Sequence, residues 1–386
     1  MRFKLLLTLS FIYCTTATEP VALRSIYDLM AENKDIKFYK CYDPIPFEYN
    51  SFPIAEYSYF QPNKGCFDQT GVFSIPYGKI YISDFYMLTD QDNHLIKDVL
   101  PTNYSLFIHF QNIDFQAISS KQLQVIPGTV AVITGLAYEN YAHFITEILA
   151  KLQLLRIKNI EYDWLYIPHA PTFCKEILSF LNIDHAKLIQ PHYDYIQAET
   201  LLIPSTPAKL IPQQNNHNYA QEHWASLYIP QWHLDWLRTT FIPIAEQQIT
   251  RPKYSEKVFI SRKDAPIRSI INEDELFTFF ESKGFTRYNL SEMSFLEQVH
   301  LFHHARYIVS PHGAGLTNVI FCNHHVSILE IFQNQFDSSF WYISQALQFD
   351  HHCIKPQKRN HLGLKVNTEV SLKNVKQYIN QHLPQL

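Results

Sequence analysis

Glycine is scarce in this chain: there are 9 among 386 residues. That excludes collagen-like and glycine-rich low-complexity architectures. It also makes the pair Gly313 and Gly315, two residues apart, worth a physical account. An excess of one charge is missing too. The formal net charge is −4, and charged residues make up 18% of the chain. Neither a nucleic-acid-binding stripe nor a polybasic membrane patch is expected. The six cysteines form no CxxC pair and no zinc-type spacing. GxSxG is absent, which removes serine hydrolases built on that elbow. Beyond the N-terminus, no apolar run is long enough to span a bilayer. The apolar fraction of 46% supports a large core and argues against global disorder.

The first residues have the layout of a secretory leader. Arg2 and Lys4 precede an apolar run from Leu5 to Cys14, and Thr15-Thr16-Ala17 offers small residues for cleavage after Ala17. A secreted or lumenal protein is expected: ER or Golgi in a eukaryote, exported or periplasmic in a bacterium. Removing the leader leaves Cys41, Cys66, Cys174, Cys322 and Cys353. Cys41 and Cys66 share a loop-rich region where they could pair in an oxidising compartment. Cys322 and Cys353 lie in apolar segments and read as buried thiols. Asn103-Tyr104-Ser105 and Asn289-Leu290-Ser291 are formal glycosylation sequons.

Residues 18–128 read as β-rich. Val72-Phe73-Ser74-Ile75 and Lys79-Ile80-Tyr81-Ile82 flank Pro76-Tyr77-Gly78, and Phe85-Tyr86-Met87-Leu88 and His94-Leu95-Ile96 flank a polar turn; both predict hairpins. Asp90-Gln91-Asp92 has the spacing of a DxD metal motif, but turn chemistry explains it more simply. Strands then alternate with helices through residues 129–250. Trp164-Leu165-Tyr166-Ile167, Lys187-Leu188-Ile189 and Thr200-Leu201-Leu202-Ile203 are expected strands, and 140–158 is an expected helix. A second α/β unit occupies 251–358. Its signals include Asn272 with Glu275 and Ser294 with Glu297 as capping pairs. Residues 359–386 make a tail and helix expected to pack back on the N-terminal unit. The architecture expected is two Rossmann-like domains facing across a cleft, with ligands beyond the carboxyl ends of the strands.

Three residue groups fall at such strand ends. After Tyr307-Ile308-Val309, the loop His312-Gly313-Ala314-Gly315 leads into a short helix carrying Asn318. Glycine permits close backbone approach, and a helix start favours phosphate. The third glycine of a dinucleotide fingerprint is absent. Arg262 and Arg268 follow the strand Lys257-Val258-Phe259-Ile260, a suitable place for an anion clamp. His143 and Glu147 share one face of the 140–158 helix, where an imidazole or carboxylate could take a proton from a hydroxyl. Glu330 ends a buried strand and needs a partner, either a ribose hydroxyl or Arg306. His300 and His304 are spaced i,i+4, but spacing shows no third metal ligand and HExxH is missing.

Several segments together resemble family-61 glycosyltransferases: Ile260-Ser261-Arg262, Arg268, Asn272-Glu273, Ser294-Phe295-Leu296-Glu297-Gln298, the loop from Pro311 to Asn318, and Ile328-Leu329-Glu330-Ile331. Asn140-Tyr141-Ala142-His143-Phe144-Ile145-Thr146-Glu147 resembles that family's N-domain motif. The family includes plant xylan-decorating xylosyl- and arabinosyltransferases and animal enzymes that add N-acetylglucosamine. The resemblance implies a GT-B fold, inversion at the anomeric carbon, a UDP-sugar donor, a glycan or glycoprotein acceptor, and neither an obligatory metal nor another cofactor. It also implies donor-phosphate roles for Arg262, Arg268, His312, Gly313, Ala314 and Gly315. Two other classes stay open: a non-catalytic carbohydrate- or nucleotide-binding module of the same fold, and a dinucleotide-dependent oxidoreductase.

Overall fold

The computed structural model describes residues 23–53, 64–82, 86–99, 122–135, 137, 139–167, 171–189, 195–211, 226–250, 254–333, 337–355 and 367–385. The leader, the sequon at Asn103 and the tail segment 359–366 lie outside these residues. Among the described residues, no helix is long and apolar enough to cross a membrane.

The chain is mixed α/β, with two main sheets of different kinds. Among the described residues, the N-terminal sheet has nine strands and centres on Tyr195–Pro204. That strand pairs in parallel with Gln124–Val132, which in turn carries Trp164–Tyr166 in parallel. Its other edge pairs antiparallel with Lys79–Ile82 and Thr70–Pro76. These last two strands were expected to form a hairpin, and they do not. They run on in one direction along the central strand, with a kink between them. Tyr77 takes a left-handed φ of 53° and donates its N–H to Glu199 O at 3.0 Å, while Gly78 O accepts from Ala198 N at 3.1 Å. A side chain at Gly78 would press on Leu201, with its Cβ 2.9 Å from Leu201 Cβ.

The second expected hairpin is present, with Tyr86–Thr89 antiparallel to Leu95–Ile96. Asp90 closes its turn by accepting from Asp92 N at 3.0 Å and His94 N at 2.9 Å, which accounts for the DxD spacing locally. The expected strand at Lys187-Leu188-Ile189 is instead a 3₁₀ turn, His185–Lys187, followed by a single bridge from Leu188 to Leu165. Asp184 drives that turn by capping Ala186 N at 2.9 Å. Cys41 and Cys66 do not pair with each other: they lie on the separate strands Lys37–Tyr42 and Lys64–Phe67, and each thiol meets a backbone carbonyl.

The C-terminal sheet is wholly parallel, in the order Thr286–Tyr288, Lys257–Ile260, Tyr307–Pro311, Ser327–Ile331, Asp350–Ile354. Its three inner strands are short and largely apolar because both faces are covered, whereas the edge strands Thr286–Tyr288 and Asp350–Ile354 are more polar. Val258, Ile260, Ile308 and Ile328 face a core shared with helix Phe295–His304, whereas Phe259, Val309 and Leu329 face helix Glu273–Glu281. Ser294 accepts from Glu297 N and Glu297 answers to the Ser294 backbone, so the expected capping box forms. The other expected pair behaves differently. Asn272 makes no backbone cap; its side chain exchanges hydrogen bonds with the backbone of Val370, at 2.8 and 2.9 Å. This ties down the C-terminal segment. Helix Leu372–His382 therefore packs on the C-terminal sheet, not on the N-terminal one, because Val375, Ile379 and Leu383 bury beside Phe277 and Phe280.

The two halves share one apolar cluster. Phe241 of helix Gln231–Gln248 lies 4.9 Å from Phe295 by ring centroids, and Phe295 lies 5.9 Å from Phe321. The N-terminal segment reaches across as well: Phe52 meets Phe332 at 6.0 Å and Trp341 at 6.0 Å.

Candidate functional site

The C-terminal sheet reverses its strand order between its first and third strands in sequence. This is the switch point at which open parallel sheets bind ligands. The residues leaving those two strands are Ser261-Arg262 and His312-Gly313, and they meet. A Cβ on Gly313 would stand 1.8 Å from Arg262 Nη1. Gly313 has an extended φ of 167°, so backbone freedom does not explain the glycine; the guanidinium occupies the space. Gly315 is required for a similar reason, since its Cβ would come 2.6 Å from Leu290 Cδ1. The helix that follows, Ala314–Phe321, is wound as 3₁₀.

Arg262 is fixed at both ends. Its backbone N–H donates to Glu273 Oε2 at 3.0 Å, and Ser261 Oγ donates to Glu273 Oε1 at 2.5 Å. Its guanidinium reaches the carbonyls of Ile267 and Arg268, each at 3.4 Å. Arg268 itself has a left-handed φ of 58°, which costs a non-glycine residue about 1 kcal/mol or more. Burial depresses both guanidinium pKa values, and the Arg268 charge depresses Arg262 further. The charges of Asp264 and Glu273 partly offset this at Arg262, and that of Asp337 does so at Arg268.

His312 is buried and oriented from beneath. Its Nδ1 lies 2.6 Å from Glu330 Oε1, and its ring stacks on Phe332 at 5.0 Å. Glu330 Oε2 is 3.2 Å from His351 Nε2, and His351 Nδ1 is 2.7 Å from Ser344 Oγ. Burial raises the Glu330 carboxyl, with the His312 hydrogen bond and charge pulling it back; burial takes His351 down to about 3. Glu330 therefore does not meet Arg306, one of the two partners expected for it. Arg306 pairs with Glu256 instead, and Glu330 is fully buried behind His312.

Asn318 is turned inward. It is fully buried, its Oδ1 accepts from Tyr141 Oη at 2.6 Å, and its amide donates to Gln298 at 2.9 Å. It is a strut between the two halves. Ala314, partly exposed, begins the 3₁₀ helix.

Opposite this loop stands the helix expected at 140–158. Asn140 caps its start, and a π turn at Phe144–Ile148 separates Tyr141–His143 from Leu149–Ile157. Single π turns of this kind are frequent at functional sites. His143 Nδ1 hydrogen-bonds Glu147 Oε1, and Glu147 is buried. Lys151 continues the spacing of four; its buried Nζ donates to Thr134 O at 2.5 Å. Burial lowers Lys151 to about 8, against the pull of the Glu147 charge. Burial also pushes His143 down, but the charge and hydrogen bond of Glu147 and the charge of Asp337 outweigh it, and the net shift is upward.

Asp337 is the residue the sequence reading missed. Burial raises its carboxyl, and His143 and Arg268 pull it down, so it sits within electrostatic reach of one site group from each half. Ser339 holds its Oδ1 through N–H at 2.8 Å and Oγ at 2.5 Å. The only local signal is an acidic residue before a helix start, which ordinary capping explains. The structure thus gathers Arg262, Arg268, His312, Gly313 and Gly315 at the switch point, with His143 and Glu147 electrostatically linked to them through Asp337. Asn318 and Glu330 stand behind.

In comparison with known protein families, residues 141–329 fit the family model described as Glycosyltransferase 61. The match opens at the helix bearing His143 and closes one residue before Glu330. Among curated proteins, none matches this chain.

Proposed function

We propose that this chain, whose residues 141–329 fit the Glycosyltransferase 61 family model, is an inverting glycosyltransferase of GT-B type. It moves a sugar, N-acetylglucosamine or a pentose, from a UDP-sugar to a hydroxyl of a glycan or glycoprotein, without an obligatory metal. The domains would divide as an acceptor-side unit over 18–250 and a donor unit over 251–358. A secretory leader at 1–17 would place the reaction in a secreted or lumenal setting.

The observation that carries this reading is the seat of Arg262 against Gly313 at the switch point, with the Arg268 charge beside it. As the acceptor oxygen forms its bond to the anomeric carbon, the bond from that carbon to the diphosphate breaks, and negative charge gathers on UDP. Arg262 and Arg268 would meet that charge, and His312 would donate to a phosphate oxygen. Fixed donors aimed at developing charge lower such barriers. Glu330 orients the His312 ring through its Nδ1. The acceptor proton would pass to His143, whose ring Glu147 orients.

The direct test is UDP release on incubation with a panel of UDP-sugars and glycan acceptors. Turnover with one donor, cut about 10²–10³-fold in Arg262→Ala, supports the reading. Failure to bind or turn over any UDP-sugar sinks it.

A further inference from the structure

His300 and His304 sit one helical turn apart on Phe295–His304, and helix Gln231–Gln248 brings Glu246 against them. Glu246 Oε1 is 2.9 Å from His304 Nε2 and 3.7 Å from His300 Nε2, and the two imidazole centroids are 4.5 Å apart. One nitrogen or oxygen from each residue lies within 4.8 Å of the others. A tetrahedral zinc ion with bonds of about 2.0–2.1 Å sets its ligand atoms about 3.3–3.4 Å apart. The separations to Glu246 straddle that edge. His300 Nδ1 is buried without a hydrogen-bond partner, which leaves Nε2 as the ring atom able to meet an ion. An ion pair between Glu246 and His304 would explain the shorter separation, but not the approach of His300 Nε2 to the same oxygen.

We propose that Glu246, His300 and His304 form a zinc site, with its fourth position open to water, that clips the two helices together. Imidazole nitrogen and carboxylate oxygen suit zinc. The site is remote from the glycine loop. His304 lies three residues before strand Tyr307–Pro311 begins, and the loop follows the far end of that strand, about 16 Å on at about 3.3 Å per residue. The role is structural, separate from donor chemistry. Two other clusters do not qualify. Asp90, Asp92 and His94 are consumed by their own turn, and Glu330, His351 and Cys353 are buried behind His312.

Full-length protein without an affinity tag, stripped by chelator, would be titrated calorimetrically with zinc chloride, and its bound metal counted after dialysis. Uptake of one zinc per chain is expected, with a rise in Tm on zinc addition. Both should vanish in His300→Ala/His304→Ala, and Glu246→Gln should weaken binding at least tenfold. Because the His304 side chain is about half exposed, His304→Ala alone guards against misfolding and should also lose at least tenfold in affinity. A wild-type chain that takes up no zinc overturns the proposal, as does unchanged affinity in His304→Ala or full stoichiometry in the double variant.

Discussion

The two sheets place their functional residues in different ways. In the C-terminal half, five parallel strands each deliver their ends to the same edge, so the loops after the first and third strands in sequence meet by topology. In the N-terminal half, the sheet is mixed, and His143 is placed by a helix whose π turn and buried Glu147 and Lys151 set it at the junction. The first half seats charge on a scaffold of backbone; the second holds one imidazole through a file of side chains. If that division is real, substitutions in the two halves should fail differently.

The largest effect is expected at His143. His143→Gln should cut kcat by about 10²–10⁴-fold while leaving UDP affinity, measured calorimetrically, unchanged. A parallel loss of UDP binding would erase the division. The pH profile is a second readout of the same residue. Its pKa is raised, so the folding contribution of the pair with Glu147 is full below the ordinary imidazole value of 6.5 and is lost as pH rises through the folded pKa. The basic form needed for catalysis appears over that same rise. The acid limb of kcat should therefore lie above 6.5, and Glu147→Gln should move it down.

Arg262→Ala should cost about 10²–10³-fold in kcat and weaken UDP binding as well, the signature of a lost charge partner for the leaving group. Gly313→Ala should mimic it, since the added methyl displaces the same guanidinium. If Gly313→Ala keeps full activity, the close approach of loop and arginine is not functional.

A smaller effect should come from the strut between the halves. Tyr141→Phe leaves the buried Asn318 Oδ1 without its donor, a cost of about 1–3 kcal/mol that lowers the urea midpoint. Unchanged stability would mean that this bond does not help to hold the halves together. Smallest of all, Ser294→Ala should cost about 1 kcal/mol through loss of the capping box, with catalysis unaffected.

Much of the C-terminal half could be read from the chain because its signals are short. Val258-Phe259-Ile260 and Ile328-Leu329-Glu330-Ile331 announce doubly covered strands, and Ser294 with Glu297 announces a helix start within four residues. The hairpin expected at Pro76-Tyr77-Gly78 failed because the same turn residues also permit a kink, and only the distant strand Tyr195–Pro204 selects between them. The capping role expected of Asn272 failed because Val370, nearly a hundred residues away, offered its side chain better partners.

The amino-acid sequence by itself determined the parallel strands, the glycine loop with its two arginines on a neighbouring strand end, and the His143 and Glu147 pair on one helix face. Each rests on periodicity or hydrogen bonding over a few residues. Only the tertiary structure decided that Glu330 supports His312, that Asn318 braces Tyr141, that Asp337 lies between His143 and Arg268, and that Glu246 completes a cluster with His300 and His304. A buried polar group takes whichever partner the packing brings within about 3 Å, and that partner leaves no mark in the spacing of the chain.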